Sequence, residues 1–314
     1  MKILITGGGG FIGPYLADLL ANKGNNVLST YYNPINDINE INSKAAKMEC
    51  DIRDKEKVFS IIRDFKPDKL FHLAAQSYPR KSWENPWYTI ETNVLGSINV
   101  FEGVKIFKKD CKILNACSSA QYGFVDKKDI PVKENHAMKP LHPYGVSKLA
   151  QENLAYQYFK NFGIQSVTIR IFNTTGPGKI GDVYSDFTKR IIEMEKGINL
   201  EKIMKVGNID SKRTITDVRD LIKAFDIALD KATIGEVYNI SGEKVYKISE
   251  IIDILKSLVN FEFELKVDQK LLRTTDEPII YGDSSKFKQE TGWKSEIPIE
   301  KTLKDMLDYW RKIL

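Results

Sequence analysis

The chain has 314 residues, of which 42% are hydrophobic and 28% charged, and its formal net charge is +5. No apolar run reaches membrane-spanning length, and the lysines are scattered among acidic residues. Neither a membrane protein nor a nucleic-acid-binding face is therefore expected. The three cysteines and three histidines lack metal-ligand spacing, which predicts free thiols, no metal site and a cytoplasmic location.

Short apolar strands alternate with amphipathic helices through the first half of the chain. The pattern predicts strands at 2–6, 26–30, 69–74, 112–117 and 165–171. It predicts helices between them at 11–23, 54–65, 91–108 and 146–162. Such alternation is typical of an α/β fold with a parallel, doubly wound sheet of the Rossmann type.

The pattern changes after Phe172, where a glycine-rich loop begins. The elements expected from there on are helices at about 183–196, 217–232, 248–259 and 299–313, with a strand at 235–241 that returns to the main sheet. We expect two domains that share the chain discontinuously. They are a dinucleotide-binding domain of residues 1–172 and 214–242, and a smaller α/β substrate-binding domain of residues 173–213 and 243–314.

A glycine loop stands between the first predicted strand and the first predicted helix. Its pattern is G-x-x-G-x-x-G, with Gly7, Gly10 and Gly13. Glycine permits a tight turn and lets backbone N–H groups at a helix N-terminus approach a pyrophosphate. A glycine triplet alone could be a structural turn, but this position predicts dinucleotide binding.

The choice of nicotinamide dinucleotide depends on the end of the second strand, "STYYNPIND", which includes Tyr31. This stretch has neither an immediate acid for the 2′-hydroxyl of the adenosine ribose nor an arginine for a 2′-phosphate. No Lys or Arg occurs between Lys23 and Lys44. A dianionic phosphate would find little charge compensation there, so NAD is favoured and NADP stays an alternative. Asp51, after a presumed third strand, suits a hydrogen bond to adenine or a helix N-cap.

Tyr144 and Lys148 are four residues apart in "HPYGVSKLAQENLAYQYF", so they share one face of a helix. A phenol with a pKa near 10 is a poor base at neutral pH. A nearby ammonium and a nicotinamide cation would stabilise phenolate and lower that pKa. The pair would then act as a general acid–base toward an alcohol or a ketone. The alternative is a surface helix that carries both residues by chance.

These motifs, in this order, resemble those of the extended short-chain dehydrogenase/reductases, within the NAD-dependent epimerase/dehydratase family. The match runs through "FHLAAQS", "TNVLG" and "SSAQYG" and covers essentially the whole chain. The resemblance implies that Ser118 polarises the reacting oxygen, that Tyr144 is the acid–base, and that Lys148 holds the nicotinamide ribose. The cofactor-binding residues that it implies are Gly7, Gly10, Phe11, Ile12, Gly13, Tyr31, Asp51, Ile52, Leu73, Ala74, Ala75, Asn93, Tyr144 and Lys148.

Downstream segments, including "RIFNTTGPG", "VGNIDSKRTITDVRD" and "LLRTTDEPIIYGDSSK", are similar to the branch of GDP-mannose 4,6-dehydratase and GDP-4-keto-6-deoxy-mannose reductase. The resemblance implies that Arg213 and Arg273 contact the phosphates or ribose of a GDP-sugar, where bidentate guanidinium recognition is suitable. A domain-bridging ion pair is the alternative for both arginines. The other implied substrate-binding residues are Ser119, Ala120, Gln121, Asn173 and Asp276.

The stretch "SSAQYG" lacks a carboxylate. Relatives that dehydrate carry Glu two places after the catalytic Ser or Thr, where this chain has Ala120. Neither alanine nor the following Gln121 can protonate a departing hydroxyl, so the sequence predicts no 4,6-dehydratase activity. It favours an oxidoreductase that acts at C4 of a GDP-activated manno-type hexose or heptose, as a 4-keto reductase or a 4-dehydrogenase, in the synthesis of bacterial-type surface polysaccharides.

Two further outcomes stay open at this point. A 4-epimerase would oxidise and re-reduce the same carbon, and a non-catalytic dinucleotide sensor could use the same fold. The resemblance also implies a homodimer formed by the helix that carries Tyr144 and by the helix near 93–108. The aromatic residues Tyr156, Tyr158, Phe159 and Phe162 suit such a contact, although ordinary core packing explains them equally well.

Overall fold

Seven parallel strands form the central sheet, and the computed structural model describes residues 1–34, 37–42, 44–272 and 279–314 of the chain. The strands of these residues are β1 (Lys2–Thr6), β2 (Asn26–Tyr31), β3 (Ala46–Glu49), β4 (Lys69–His72), β5 (Lys112–Ser118), β6 (Ser166–Ile171), β7 (Thr174–Thr175), β8 (Ile203–Val206), β9 (Lys212–Thr214), β10 (Thr216–Asp217), β11 (Val237–Ile240), β12 (Val245–Lys247), β13 (Glu264–Val267) and β14 (Ile279–Ile280).

The main sheet has the strand order β3-β2-β1-β4-β5-β6-β11, and every neighbouring pair in it is parallel. The order reverses at β1, since the chain proceeds outward through β2 and β3 and then returns to β4. Such a switch point opens a crevice at the carboxyl ends of the strands. The predicted Rossmann-type fold is confirmed.

The helices cover both faces of this sheet and build the smaller unit. Among the described residues they are α1 (Ile12–Asn22), α2 (Lys55–Phe65), α3 (Pro79–Glu84), α4 (Pro86–Ile90), α5 (Gly96–Phe107), α6 (Pro143–Phe162), α7 (Val183–Glu195), α8 (Val218–Lys231), α9 (Ile248–Ser257), α10 (Ser285–Thr291) and α11 (Ile299–Ile313). The single helix predicted at 91–108 is in fact a π-helical turn, Glu91–Leu95, followed by α5.

Helix α6 begins three residues earlier than the sequence predicts, which places Tyr144 inside its first turn. The ring nitrogen of His142 accepts a hydrogen bond from the Gly145 N–H (3.0 Å), and Pro143 occupies the first helical position. Both features favour a helix start at this point. Gly163, with φ +69°, ends the helix in the left-handed conformation.

Two apolar cores lie on the two faces of the sheet, and a third lies in the smaller unit. The third core joins α7, α9 and α11 through Ile191, Leu255 and Leu303. Phe287 and Trp293, which the sequence assigns to the smaller domain, pack in a core of the main sheet. The division of the chain into two domains stays a prediction.

None of the described helices is long and apolar enough to cross a membrane. Within the described ranges, no three His, Cys, Asp or Glu side chains are grouped so that they could hold a metal ion. Cys50, Cys111 and Cys117 are buried free thiols, as the sequence predicts.

Candidate active site

A cleft of about 630 Å³ lies at the carboxyl edge of the main sheet. Its lining comes from the glycine loop, the ends of β4 and β5, helix α6, and the segment 171–184 that follows β6. This volume and this position are usual for a small-molecule site in a doubly wound fold. The predicted residues that line it are Gly7, Gly10, Phe11, Ile12, Gly13, Asp51, Ile52, Leu73, Ala74, Ala75, Ser118, Ser119, Tyr144 and Asn173.

Two positions of the glycine loop have no room for a side chain. Gly7 has φ +74°, and a Cβ atom there would lie 2.6 Å from the backbone of Ala74, two residues after the end of β4. A Cβ atom on Gly13 would lie 2.4 Å from the carbonyl oxygen of Gly8. Glycine at these positions therefore permits the close approach of the loop, α1 and the neighbouring strand.

The N-terminus of α1 faces the cleft without a side-chain cap. Phe11 stands at the N-cap, and within the described residues no side chain caps this helix end and no acid lies in its first turn. Free N–H groups and the positive end of the helix dipole favour an anion there. This arrangement fits the pyrophosphate of a dinucleotide.

At the second-strand end the cleft is lined by Tyr32, Asn33 and Pro34, whereas Tyr31, the residue predicted from the sequence, does not line it. Arg53, which the sequence analysis did not consider, lies over the rings of Tyr32 (6.0 Å) and Tyr88 (4.7 Å). Its guanidinium also donates to the Asp51 carboxylate (2.6 Å). The cleft thus has a cation near this end, supplied by the segment after β3 and not by the segment after β2.

The helix N-cap alternative for Asp51 is wrong, because Asp54 caps α2 by accepting from the Lys57 N–H (3.0 Å). Asp51 instead accepts from both the backbone and the guanidinium of Arg53. Burial raises the pKa of the Asp51 carboxyl, but these hydrogen bonds outweigh it and the net pKa is lowered. Asp51 is therefore ionised at the cleft wall.

Asn93 is buried behind the cleft wall and does not line it. Its amide accepts from the Gln76 N–H (2.8 Å) and donates to the Gln76 carbonyl (2.9 Å) and the Ser147 hydroxyl (2.8 Å). It therefore ties the loop after β4 to α6. A direct contact of Asn93 with the cofactor stays a prediction.

Ser118, Tyr144 and Lys148 come together where β5 ends against α6. Ser118 and Tyr144 line the cleft. Burial raises the pKa of Tyr144 to about 12, although a hydrogen bond with Ser118 lowers it in part. Desolvation of the phenolate is the largest effect on this pKa, and Cys117 raises it further. Tyr144 is therefore a protonated phenol at neutral pH. The lowering by the Lys148 ammonium together with a nicotinamide cation stays a prediction.

Lys148 lies just beneath the cleft surface and is almost completely buried. Its ammonium donates to the Ala116 carbonyl (2.8 Å) and to the Gln151 side-chain oxygen (2.8 Å). Burial lowers the pKa of Lys148 to about 8, with a smaller raising effect from Cys117. The ammonium thus persists at neutral pH but is lost in mild alkali.

Two residues predicted to bind substrate do not face the cleft. Gln121 is fully buried, and Ala120 does not line the cleft, since its carbonyl oxygen packs against Gly145 of α6. Both residues belong to the short helical turn after β5. For Gln121 the substrate-binding prediction is wrong, since both ends of its amide are held inside the protein.

On the substrate side, Asn173 lines the cleft and Arg213 does not. Arg213 lies on β9, and its positive charge acts on Tyr184, a lining residue whose pKa is raised by burial and lowered in part by that charge. Arg273 and Asp276 lie outside the described residues, so their contacts with substrate stay predictions.

Lys179 is a further cation that lines the cleft and that the sequence did not predict. Its ammonium lies 4.7 Å from the centre of the Phe11 ring, and the Tyr15 hydroxyl fixes its loop by donating to the Pro177 carbonyl (2.7 Å). Tyr78 approaches the same loop, with its hydroxyl 3.5 Å from the Ile180 carbonyl. The only sequence signal for Lys179 is its place in a glycine-rich loop, which predicts no particular contact.

Comparison with known proteins identifies the family. The family model described as GDP-mannose 4,6 dehydratase matches residues 4–306. The chain is 32% identical over 245 residues to GDP-6-deoxy-D-mannose reductase of Pseudomonas aeruginosa, which covers 78% of this chain and 80% of that protein.

Two solved structures are similar over the full length. RMD from Pseudomonas aeruginosa complexed with NADPH has a TM-score of 0.87 at 28% identity and covers 100% of both chains. UDP-glucose 4-epimerase with UDP-glucose from Thermotoga maritima has a TM-score of 0.90 at 26% identity and covers 100% of this chain and 99% of that one. The resemblance to extended short-chain dehydrogenase/reductases is confirmed, and the chain belongs to the GDP-mannose 4,6-dehydratase family.

Proposed function

We propose that the protein is an NAD(P)-dependent oxidoreductase that acts at C4 of a GDP-activated manno-type sugar, as a 4-keto reductase or a 4-dehydrogenase on a hexose or heptose. The observation that carries this proposal is that Ser118 and Tyr144 line the cleft at the end of β5, beside an uncapped helix N-terminus, while the buried Lys148 ammonium binds the Ala116 carbonyl of the same strand. The similarity to a GDP-6-deoxy-D-mannose reductase supports a GDP-sugar as the substrate. A role in the synthesis of bacterial-type surface polysaccharides is part of the proposal.

The nicotinamide dinucleotide, when bound, supplies or takes up the hydride at C4. The backbone N–H groups at Phe11 and Ile12 would hold its pyrophosphate. In the reductive direction Tyr144 would donate its phenolic proton to the C4 oxygen, so that the ketone becomes an alcohol. Ser118 would hydrogen-bond the same oxygen. Lys148 would hold the nicotinamide ribose and, with the cofactor bound, stabilise the phenolate by its positive charge.

The exclusion of 4,6-dehydration rests on the carboxylates of the cleft. Among the described lining residues the acids are Asp51 and Asp182. Asp51 is paired with Arg53, and Asp182 accepts from the Ser185 N–H (2.7 Å) to cap α7. Neither follows Ser118 on the turn after β5, where Ser119 and Ala120 stand. A proton donor for hydroxyl loss at C6 is therefore missing at that position.

NAD is the cofactor that the segment after β2 favours, with NADP as the alternative. The structurally similar reductase complexed with NADPH supports the alternative. Arg53 would be the nearest cation for a 2′-phosphate, but its pairing with Asp51 neutralises much of its charge. This balance leaves NAD the first choice.

A 4-epimerase is the second candidate. The structure of UDP-glucose 4-epimerase with UDP-glucose supports it, since that chain matches over its full length. An epimerase needs the same Ser, Tyr and Lys, but the keto sugar must rotate within the site so that the hydride returns to its opposite face. Net consumption of cofactor separates the two functions, because an epimerase returns every hydride to the sugar.

The test is nicotinamide absorbance with purified protein and GDP-4-keto-6-deoxy-mannose, with NADH and NADPH in parallel assays. Consumption establishes the 4-keto reductase. In separate assays with NAD⁺, its reduction to NADH on addition of GDP-mannose or a GDP-heptose establishes the 4-dehydrogenase. Interconversion of C4 epimers seen by NMR without net cofactor change would replace the proposal by the epimerase. Cofactor binding without turnover of any nucleotide sugar would leave a dinucleotide sensor.

We also propose a homodimer through α5 and α6. Exposed apolar side chains on and beside these helices support it, among them Leu95 (51% exposed), Val146 (47%) and Tyr156 (56%). Tyr158, in contrast, is buried and stacks on Phe101, so it belongs to the core. Sedimentation of the purified protein as a monomer at micromolar concentration would contradict the dimer.

A further inference from the structure

The helix face that carries Tyr144 and Lys148 continues for one more turn. Gln151 and Glu152 are three and four residues beyond Lys148, so they lie on the same face. Both are buried. The Gln151 oxygen accepts from the Lys148 ammonium, and its amide nitrogen donates to the Asn115 side chain (2.6 Å). Gln151 therefore orients Lys148 from inside the protein.

Gln121 makes the corresponding connection for Ser118. Its side-chain oxygen accepts from the Ser118 N–H (3.1 Å), and its amide nitrogen donates to a carboxylate oxygen of Glu152 (2.8 Å). Gln121 is fully buried, so no water competes for these groups. The Gln121 side chain thus links the Ser118 backbone to α6, the helix that carries Tyr144.

The orientation of the Gln121 amide is fixed by charge. The Arg170 guanidinium donates to both oxygens of Glu152, and both side chains of this ion pair are nearly inaccessible to solvent. Arg170 also donates to the Tyr122 hydroxyl (2.6 Å) and the Glu134 carbonyl (2.8 Å). An ionised Glu152 can only accept, so the donor end of Gln121 must face it and the acceptor end must face Ser118.

We propose that Gln121 and Glu152 are positioning residues, which hold Ser118 in the place from which it can hydrogen-bond Tyr144 and the reacting oxygen. The inference rests on the proposed function and deepens it. Displacement of a reacting group by about 1 Å can cost on the order of 100-fold in rate, so a link of two hydrogen bonds is sufficient to matter. Glutamine suits this place because it supplies one acceptor and one donor at the same time at every pH.

The test compares Gln121→Glu with Gln121→Met across pH. Protonated Glu at 121 can both accept from Ser118 and donate to Glu152, whereas the ionised form faces a second carboxylate. Burial and the neighbouring Glu152 carboxylate both raise the pKa of the new carboxyl. As pH rises from about 5 to about 10 the variant loses its proton, so its kcat relative to the wild type should fall by about tenfold or more. The charged and titratable groups near this side chain are Glu152, Arg170, Tyr122, Cys117 and Lys148.

Gln121→Met is the matched control, since it keeps the length of the side chain and cannot titrate. Its kcat should fall by about 10- to 100-fold at every pH, with the KM for the nucleotide sugar within about twofold of the wild type. A constant Gln121→Glu to wild-type ratio across pH would overturn the proposal, as would wild-type kcat in both variants. If Gln121→Met fails to fold, the pH series within Gln121→Glu still decides.

A second readout keeps this inference separate from the proposed function. In the complex with NAD⁺, the pKa of Tyr144 is measured by ultraviolet difference against the Tyr144→Phe form of each protein. Loss of the Ser118 position should raise that pKa in Gln121→Met, because the hydrogen bond with Ser118 lowers it. An unchanged pKa overturns the positioning role. A wild type without any sugar turnover overturns the function alone.

Discussion

The two walls of the cleft differ in how firmly their side chains are held. The sheet wall is formed by β5 and α6. The five inner residues of β5 are buried, and Lys148 and Gln121 are fixed by hydrogen bonds from inside the protein. The loop wall, on the opposite side, is the segment 173–184. It includes exposed side chains, with Ile180 43% and Val183 38% exposed. Lys179 on this wall rests on an aromatic ring.

This difference suggests that the sheet wall serves the chemistry and that the loop wall serves ligand recognition. Chemistry needs groups held to within fractions of an ångström, which a packed sheet and helix can supply. Recognition of a ligand tolerates more adjustment and is commonly placed on loops. We therefore expect changes on the sheet wall to reduce kcat, and changes on the loop wall to alter binding.

Tyr144→Phe should give the largest effect, and it tests the sheet wall directly. Removing the phenolic hydroxyl removes the proton donor but keeps the ring and its packing, so kcat should fall by about 100- to 10,000-fold. Affinity for NADH, measured by fluorescence titration, should stay within about twofold. Full activity in this variant would show that another group transfers the proton. It would also contradict the expectation that changes on the sheet wall reduce kcat.

The pH dependence of the wild type tests the same wall through Lys148. Its folded pKa is depressed by burial to about 8, so the ammonium is present below that pH and is lost above it. Activity should therefore decline as pH rises through about 8, approaching tenfold per pH unit. Lys148→Arg keeps a cation at every pH and should lose this alkaline limb. A flat wild-type profile up to about pH 10 would contradict the role of the ammonium.

Lys179→Met should give the smallest effect and tests the loop wall. The ammonium lies beside Phe11 at the uncapped end of α1, where the dinucleotide pyrophosphate is expected. Loss of this single, partly buried charge should raise the dissociation constant for NADH by about two- to fivefold, with kcat at saturation unchanged. Lys127→Met, an exposed site outside the cleft, is the control. A large fall in kcat in Lys179→Met would contradict the expectation that changes on the loop wall alter binding and leave kcat unchanged.

The parts of the site that the sequence predicted are those with local signals. The glycine spacing, the four-residue interval of Tyr144 and Lys148, and the strand before Ser118 each lie in a short stretch with its own physical reason. The sequence singled out Tyr31 at the end of β2, whereas the structure brings Tyr32 to the cleft, because a shift of one residue along a strand end reverses the direction of the side chain. A contact of Tyr31 with the cofactor stays a prediction. Gln121 was assigned to the substrate because its buried partners, Glu152 and Arg170, are distant in sequence.

By itself, the sequence determined the doubly wound sheet, the glycine loop and the catalytic candidates, because periodicity and spacing along one segment are sufficient for them. Only the tertiary structure decided where charge and burial act. It placed Arg53 over two tyrosines, raised the pKa of Tyr144 and lowered that of Lys148, and closed the link from Ser118 through Gln121 to Glu152. These properties depend on desolvation and on contacts between segments, and neither is encoded in any single stretch of the chain.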